Sequence, residues 1–104
     1  MATKKKSGFK DIIQSEQPVL LDFHATWCGP CKAFAPVLDQ LKQEMGDAVR
    51  VIKIDIDKNQ QLAQSLQVQS VPTLMIYQRG EMKWRAMGGQ SLSGLRKQLQ
   101  PLLK

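Results

Sequence analysis

Several things are scarce in this chain of 104 residues. It has two cysteines, so it can close at most one disulfide and is no disulfide-stapled secreted scaffold. It has one histidine, His24. One chain therefore offers at most His24, Cys28 and Cys31 as soft metal donors, whereas a structural zinc site takes four ligands. Aromatics are few: two tryptophans, one tyrosine and three phenylalanines. They do not alternate with the lysines along any segment, as a base-stacking platform would require. No apolar stretch approaches the roughly 20 residues that span a bilayer. The basic start runs into GFKDIIQSEQ rather than an apolar segment, so no signal peptide is expected, and Ala2 does not fit N-myristoylation. The expected compartment is the cytosol, where paired cysteines are more often reactive than structural.

Acids are also scarce, nine against fifteen bases, for a net charge of +6. The excess is uneven. Lys4, Lys5, Lys6 and Lys10 carry four of the six charges. We read residues 1–7 as a flexible basic arm and 8–104 as one domain. Solvated terminal charge is the plain reading of the lysines, ahead of a nucleic-acid or membrane patch. The remaining composition, 42% apolar and 23% charged, is that of a globular domain with a core.

The chain alternates helix and strand. Ser7 is positioned to cap a short helix with Phe9, Ile12 and Ile13 on one side. Val19–Ala25 is apolar on both faces, as in a central strand covered by helices. A helix is expected from about Pro30 to Met45, with Pro36 inside it and Gly46 stopping it. A strand follows over Val49–Ile56, then a short helix through Leu62, Ala63 and Leu66. Thr73–Gln78, the Arg79-Gly80 turn and Glu81–Met87 read as a hairpin. Ser91 caps a last helix carrying Leu92, Leu95 and Leu99. This order predicts an α/β domain: a central mixed sheet flanked by helices, with a βαβ unit followed by ββα.

Both cysteines fall in one Cys28-Gly29-Pro30-Cys31 motif, between a strand and a long helix. A helix start carries unpaired N–H groups and the positive end of the dipole, which favour a thiolate over a thiol. The pKa of such a cysteine falls from about 8.5 toward neutrality. Pro30 in the first turn costs little, since its missing N–H would be unpaired there anyway. Cys28 is then expected to be the exposed nucleophile and Cys31 the buried resolver. Metal-binding and inert core thiols are the competing readings.

Trp27-Cys28-Gly29-Pro30-Cys31-Lys32 resembles the active-site sequence of the thioredoxin family. The likeness extends through Asp22-Phe23, Pro36, Lys53-Ile54-Asp55-Ile56-Asp57, Val71-Pro72-Thr73, Arg79-Gly80-Glu81 and Gly88, in order over roughly residues 8–104. The resemblance implies the thioredoxin fold and a protein-disulfide reductase. Cys28 would attack a substrate disulfide, and Cys31 would resolve the mixed disulfide. It implies no organic cofactor and no metal. Electrons would come from a thioredoxin reductase, and disulfide-containing proteins would be the substrates of a monomer.

Asp22 sits among Leu20, Leu21 and Phe23, and Lys53 among Val51, Ile52 and Ile54, so both read as buried. The resemblance makes Asp22, assisted by Lys53, the proton acceptor for Cys31. A partly exposed structural ion pair is the other reading. The resemblance also implies a cis Val71-Pro72 bond, with the Val71 backbone pairing an extended substrate. Trp27, Gly29, Pro30, Met87, Gly88, Gly89 and Ile56 would complete a shallow apolar groove, though Met87 and Ile56 also suit ordinary core packing. The family commonly has a bulky aromatic where this chain has His24. A histidine there could tune the Cys28 thiolate or the disulfide potential, or merely fill the aromatic's space. A specialised electron donor or oxidase for few partners, and a non-enzymatic binding module, are the alternative functions.

Overall fold

A computed structural model of the chain describes residues 8–103. The proposed Ser7 cap and the basic arm over residues 1–7 lie outside them. The elements are α1 (Phe9–Ile13), β1 (Val19–His24), α2 (Gly29–Met45), β2 (Arg50–Asp55), α3 (Gln60–Ser65), β3 (Thr73–Gln78), β4 (Glu81–Met87) and α4 (Leu92–Leu99). Short 3₁₀ turns follow α2 at Gly46–Ala48 and α4 at Gln100–Leu102.

The four strands form one sheet in the order β2-β1-β3-β4. β1 runs parallel to β2 and antiparallel to β3, and β3 pairs antiparallel with β4. β1 and β3 are the inner strands, and they are almost wholly buried. That explains their continuous apolar sequence: helices cover both faces. Leu20, Leu74 and Ile76 face α2 and α4, packing on Phe34, Leu38, Leu41, Leu95 and Leu99. Val19, Leu21, Phe23, Met75 and Tyr77 face the other way, toward Ile13 of α1 and Leu62 of the α3 side. Phe9 meets Tyr77 edge to face at 5.5 Å between ring centres.

β2 is an edge strand, and this corrects the reading of Lys53. It pairs in register with Asp22 but is exposed, because β2 has no second neighbour to shelter it. Among the described residues, ion pairs within 4 Å join Arg79 to Glu16, Lys83 to Glu81 and Arg96 to Glu44. Lys53 and Asp22 do not form one.

Local signals account for the element ends. The Ser91 hydroxyl accepts the Gly94 N–H at 3.0 Å and caps α4. Gly46, at φ 53°, stops α2 in a conformation that other residues adopt at a cost. Arg79 and Gly80 turn the hairpin with positive φ at both positions. Among the described residues no helix is long and apolar enough to cross a membrane.

Candidate active site

The chain leaves β1 at His24, turns through Thr26 and Trp27, and enters α2 at Cys28. This places both cysteines at the end of an inner strand and the start of a 17-residue helix. Cys28 and Cys31 are joined in a disulfide, with their Cα atoms 5.3 Å apart. Cys28 is the N-cap residue. Its Sγ accepts the backbone N–H of Cys31 at 3.1 Å, so sulfur takes the place of the usual capping oxygen. A hydrogen bond and a helix dipole therefore both act on one atom, and each favours negative charge there.

The expected contrast in exposure is not found. Cys28 is 3% exposed and Cys31 9% exposed, so the proposed nucleophile is slightly the more enclosed of the two. The cause is the loop before β3. The Val71–Pro72 peptide is cis, and the Val71 carbonyl oxygen lies 3.7 Å from the Cys28 Sγ. Ala25, Ile56 and Val71 pack around the disulfide. Pro72 itself is buried, and its carbonyl accepts the Gly88 N–H at 2.7 Å. That bond ties the loop to the end of β4.

Around this point the surface is apolar and open. Trp27 is 67% exposed and Met87 70% exposed, large fractions for such side chains. Met87 is thus a surface residue and not core, whereas Ile56 is partly buried against the disulfide. Gly29 and Pro30 are exposed on the first turn of α2. Gly88, at φ 85°, lets the chain turn away after Met87. A Cβ on Gly89 would meet the Phe34 ring at 3.3 Å, so α2 closes tightly on that loop. Trp27 is fixed by an Nε1–H that donates to Asp57 Oδ2 at 2.9 Å. Sequence reading missed Asp57 in this role: it lies 30 positions away, and no local pattern links the two.

Behind the disulfide the setting differs. A cleft of about 330 Å³ is lined by Asp22, His24, Ala25, Thr26, Cys31, Lys32, Ala35 and Lys53. Asp22 is 4% exposed, and its Oδ1 is buried with no hydrogen-bond partner. Burial pushes its carboxyl above the usual 3.8, while the charges of His24 and then Lys53 pull it back only in part. A buried carboxyl compensated only in part costs free energy in the resting protein. His24 lies on this cleft, which Cys31 also lines and Cys28 does not. Among the described residues no group of three His, Cys, Asp or Glu could hold a metal ion.

The thioredoxin family model matches residues 1–101 of the chain. Thioredoxin of Bacillus subtilis is 51% identical over 74 residues, covering 71% of each chain. The bifunctional thioredoxin reductase/thioredoxin of Mycobacterium leprae is 42% identical over 93 residues, 89% of this chain but 20% of that longer protein. Among solved structures, oxidised mitochondrial thioredoxin 3 of Saccharomyces cerevisiae superposes with a TM-score of 0.80 at 31% identity. That match covers 89% of this chain and 86% of the yeast one.

Proposed function

The chain belongs to the thioredoxin family and is a thiol–disulfide oxidoreductase, and on that premise we propose that it reduces protein disulfides, with Cys28 as nucleophile and Cys31 as resolver. The carrying observation is the Cys31 amide donating to the Cys28 sulfur at 3.1 Å. That bond and the helix end stabilise whichever state of Cys28 is negatively charged, and only a thiolate attacks a disulfide.

The Cys28 thiolate attacks one sulfur of the substrate disulfide, and the other sulfur leaves as a thiolate. Cys31 gives its proton to Asp22 and attacks the Cys28 sulfur. The bond between Cys28 and the substrate breaks, and the substrate leaves with both of its sulfurs reduced. Two electrons have moved to the substrate, and the Cys28–Cys31 disulfide has formed. Asp22 suits the acceptor role because burial raises its affinity for a proton while Cys31 shares its cleft. Lys53 is exposed and unpaired with Asp22, so its part is a weak field at a distance.

The substrate is an extended protein segment. The cis-proline loop presents the Val71 carbonyl beside the reacting sulfur, and backbone pairing there reads chain conformation rather than one sequence. Trp27, Pro30, Met87 and Gly88 give apolar contact around it, which suits many partners. Electrons enter from a thioredoxin reductase using NADPH. The Mycobacterium leprae relative joins both activities in one polypeptide, which supports that donor class. All of these groups come from one chain, so the monomer is the working unit, and a cytosolic setting would keep the resting pair reduced.

NADPH consumption with thioredoxin reductase and disulfide-bonded insulin tests the reading. Turnover by the wild type, and a trapped substrate adduct in Cys31→Ser, are expected. Absence of turnover with any reductase tried would overturn it in favour of a donor dedicated to other partners.

A further inference from the structure

The cleft behind the disulfide holds a group that the reduction steps do not use. Asp22 and His24 are two residues apart on β1 and so project from the same face of the sheet, toward α2. Both line the cleft that Cys31 also lines. Asp22 is buried, and its Oδ1 has no hydrogen-bond partner. His24 is partly exposed and lines the same cleft at the end of β1. A proton given to Asp22 must leave again before the next cycle. Oδ1 is buried without a partner, so the way out is the cleft that Asp22 and His24 share.

The other charged groups do not serve. Beside Asp22 on β2, Lys53 is exposed and makes no ion pair with it. A lysine ammonium is also already protonated at neutral pH and cannot accept. Beside His24 on β2, Asp55 has its Oδ1 occupied by the N–H groups of Asp57 and Lys58, at 2.8 and 3.3 Å. From α2 come Cys31 itself and Lys32, another ammonium. On the third side β3 sets Leu74 opposite Asp22, which holds no proton. Of the remaining side chains around the cleft, only an imidazole can accept a proton on one ring nitrogen and give one up from the other.

Resting on the assignment of Asp22 and Cys31 made above, we propose that His24 is the proton outlet of the resolving step. The Cys31 thiol gives its proton to Asp22. The protonated Asp22 passes it through cleft water to the neutral imidazole. The imidazolium releases it to bulk solvent. When a reductase reopens the disulfide, the same path runs inward and returns one proton to Cys31. The cleft has room for several waters, enough to bridge groups that are not in contact. His24 is therefore a positioning residue that acts through Asp22, on the Cys31 side of the disulfide. This relocates its effect from the Cys28 thiolate, where sequence reading put it.

The test is stopped-flow reduction of 5,5′-dithiobis(2-nitrobenzoate) by the fully reduced protein. The first thionitrobenzoate released reports attack by Cys28, and the second reports resolution by Cys31. In His24→Ala, the ratio of second-phase to first-phase rate is expected to fall by about tenfold at pH 7, the low end of what a proton-transfer group supplies. Added imidazole should restore much of it by entering the opened cleft. His24→Gln should show the same slowing and a flatter pH profile of the second phase between pH 5.5 and 8.5. A ratio within twofold of wild type in both variants overturns the proposal. So does a slowed phase that keeps the wild-type pH profile and ignores imidazole. Asp22→Asn separates the two layers. If it leaves the second phase intact, the assignment of Asp22 fails. If it removes that phase while the His24 variants behave as wild type, only the outlet fails.

Discussion

On its outer side the disulfide meets apolar surface: Trp27 and Met87 stand exposed, Val71 and Ile56 pack against the disulfide, and the Val71 carbonyl lies at the Cys28 sulfur. On its inner side it meets Asp22, His24 and Lys53 around a cleft that Cys31 shares. Two sulfurs three residues apart thus have unlike surroundings, although their exposures differ little. What separates the two cysteines is the chemistry each one touches. Cys28 has a hydrogen bond and a helix end to hold negative charge, and an apolar rim against which a protein can lie. Cys31 shares its cleft with the buried carboxyl of Asp22 and with His24, the proposed route for its proton. Exposure alone would have assigned the roles the other way.

The largest break in this comparison comes from the inner sulfur. Cys31→Ser should retain attack by Cys28 and lose catalytic turnover entirely, seen as a substrate adduct that accumulates and no steady NADPH consumption. Next is Asp22→Asn, which should slow resolution about 10–100-fold at pH 7, measured in single turnover. The same variant should gain stability of about 1–3 kcal/mol at pH 7, because it removes a buried carboxylate with an unpaired oxygen. The sign with pH follows from the raised pKa. Native Asp22 keeps its proton to higher pH than the unfolded chain does. Stability is therefore unreduced below the unfolded value of about 3.9, and it falls as pH rises through the native one. Urea midpoints between pH 4 and 8 should show that slope in the wild type and lose it in Asp22→Asn.

The outer side breaks more gently. Met87→Ser removes much of one exposed apolar side chain and should raise KM for a protein disulfide about fivefold, a contact of about 1 kcal/mol. It should leave reduction of a small aromatic disulfide unchanged, since that probe does not span the groove. The smallest effect belongs to Lys53→Ala. An exposed, unpaired ammonium contributes little through solvent, and resolution should change by less than about twofold.

Much of this was legible in the sequence. The hairpin strands fall where the Arg79-Gly80 turn puts them, because a tight turn sets the pairing beside it, and only further on does an irregularity at Ile76–Tyr77 shift the register. Helix α2 begins at Gly29, one residue before Pro30, and ends at Gly46 as the glycine implies. β1 stops at His24 rather than Ala25, where the chain bends toward the cysteines. The misses share a cause. Lys53 looked buried because its neighbours are Val51, Ile52 and Ile54, but strand order decides which strand is an edge, and local sequence does not carry strand order. Cys28 looked exposed because Gly-Pro reads as a loop. It is enclosed by Val71, 43 positions away. His24 stood out as a departure, but the cysteine it accompanies depends on which face of β1 it shares with Asp22. Residue types named the chemistry, and long-range packing decided which group acts on which.

The assignment of unequal roles to the two sulfurs is tested most directly by intact-protein mass spectrometry. Reduced Cys31→Ser and Cys28→Ser are each mixed with a disulfide substrate at pH 7 and quenched with acid over time. The account predicts rapid one-to-one adduct formation in Cys31→Ser, through Cys28, and at least about tenfold slower adduct formation in Cys28→Ser, whose remaining thiol lacks the capping N–H that the Cys28 sulfur accepts. Equal rates, or faster trapping through Cys31, would contradict it.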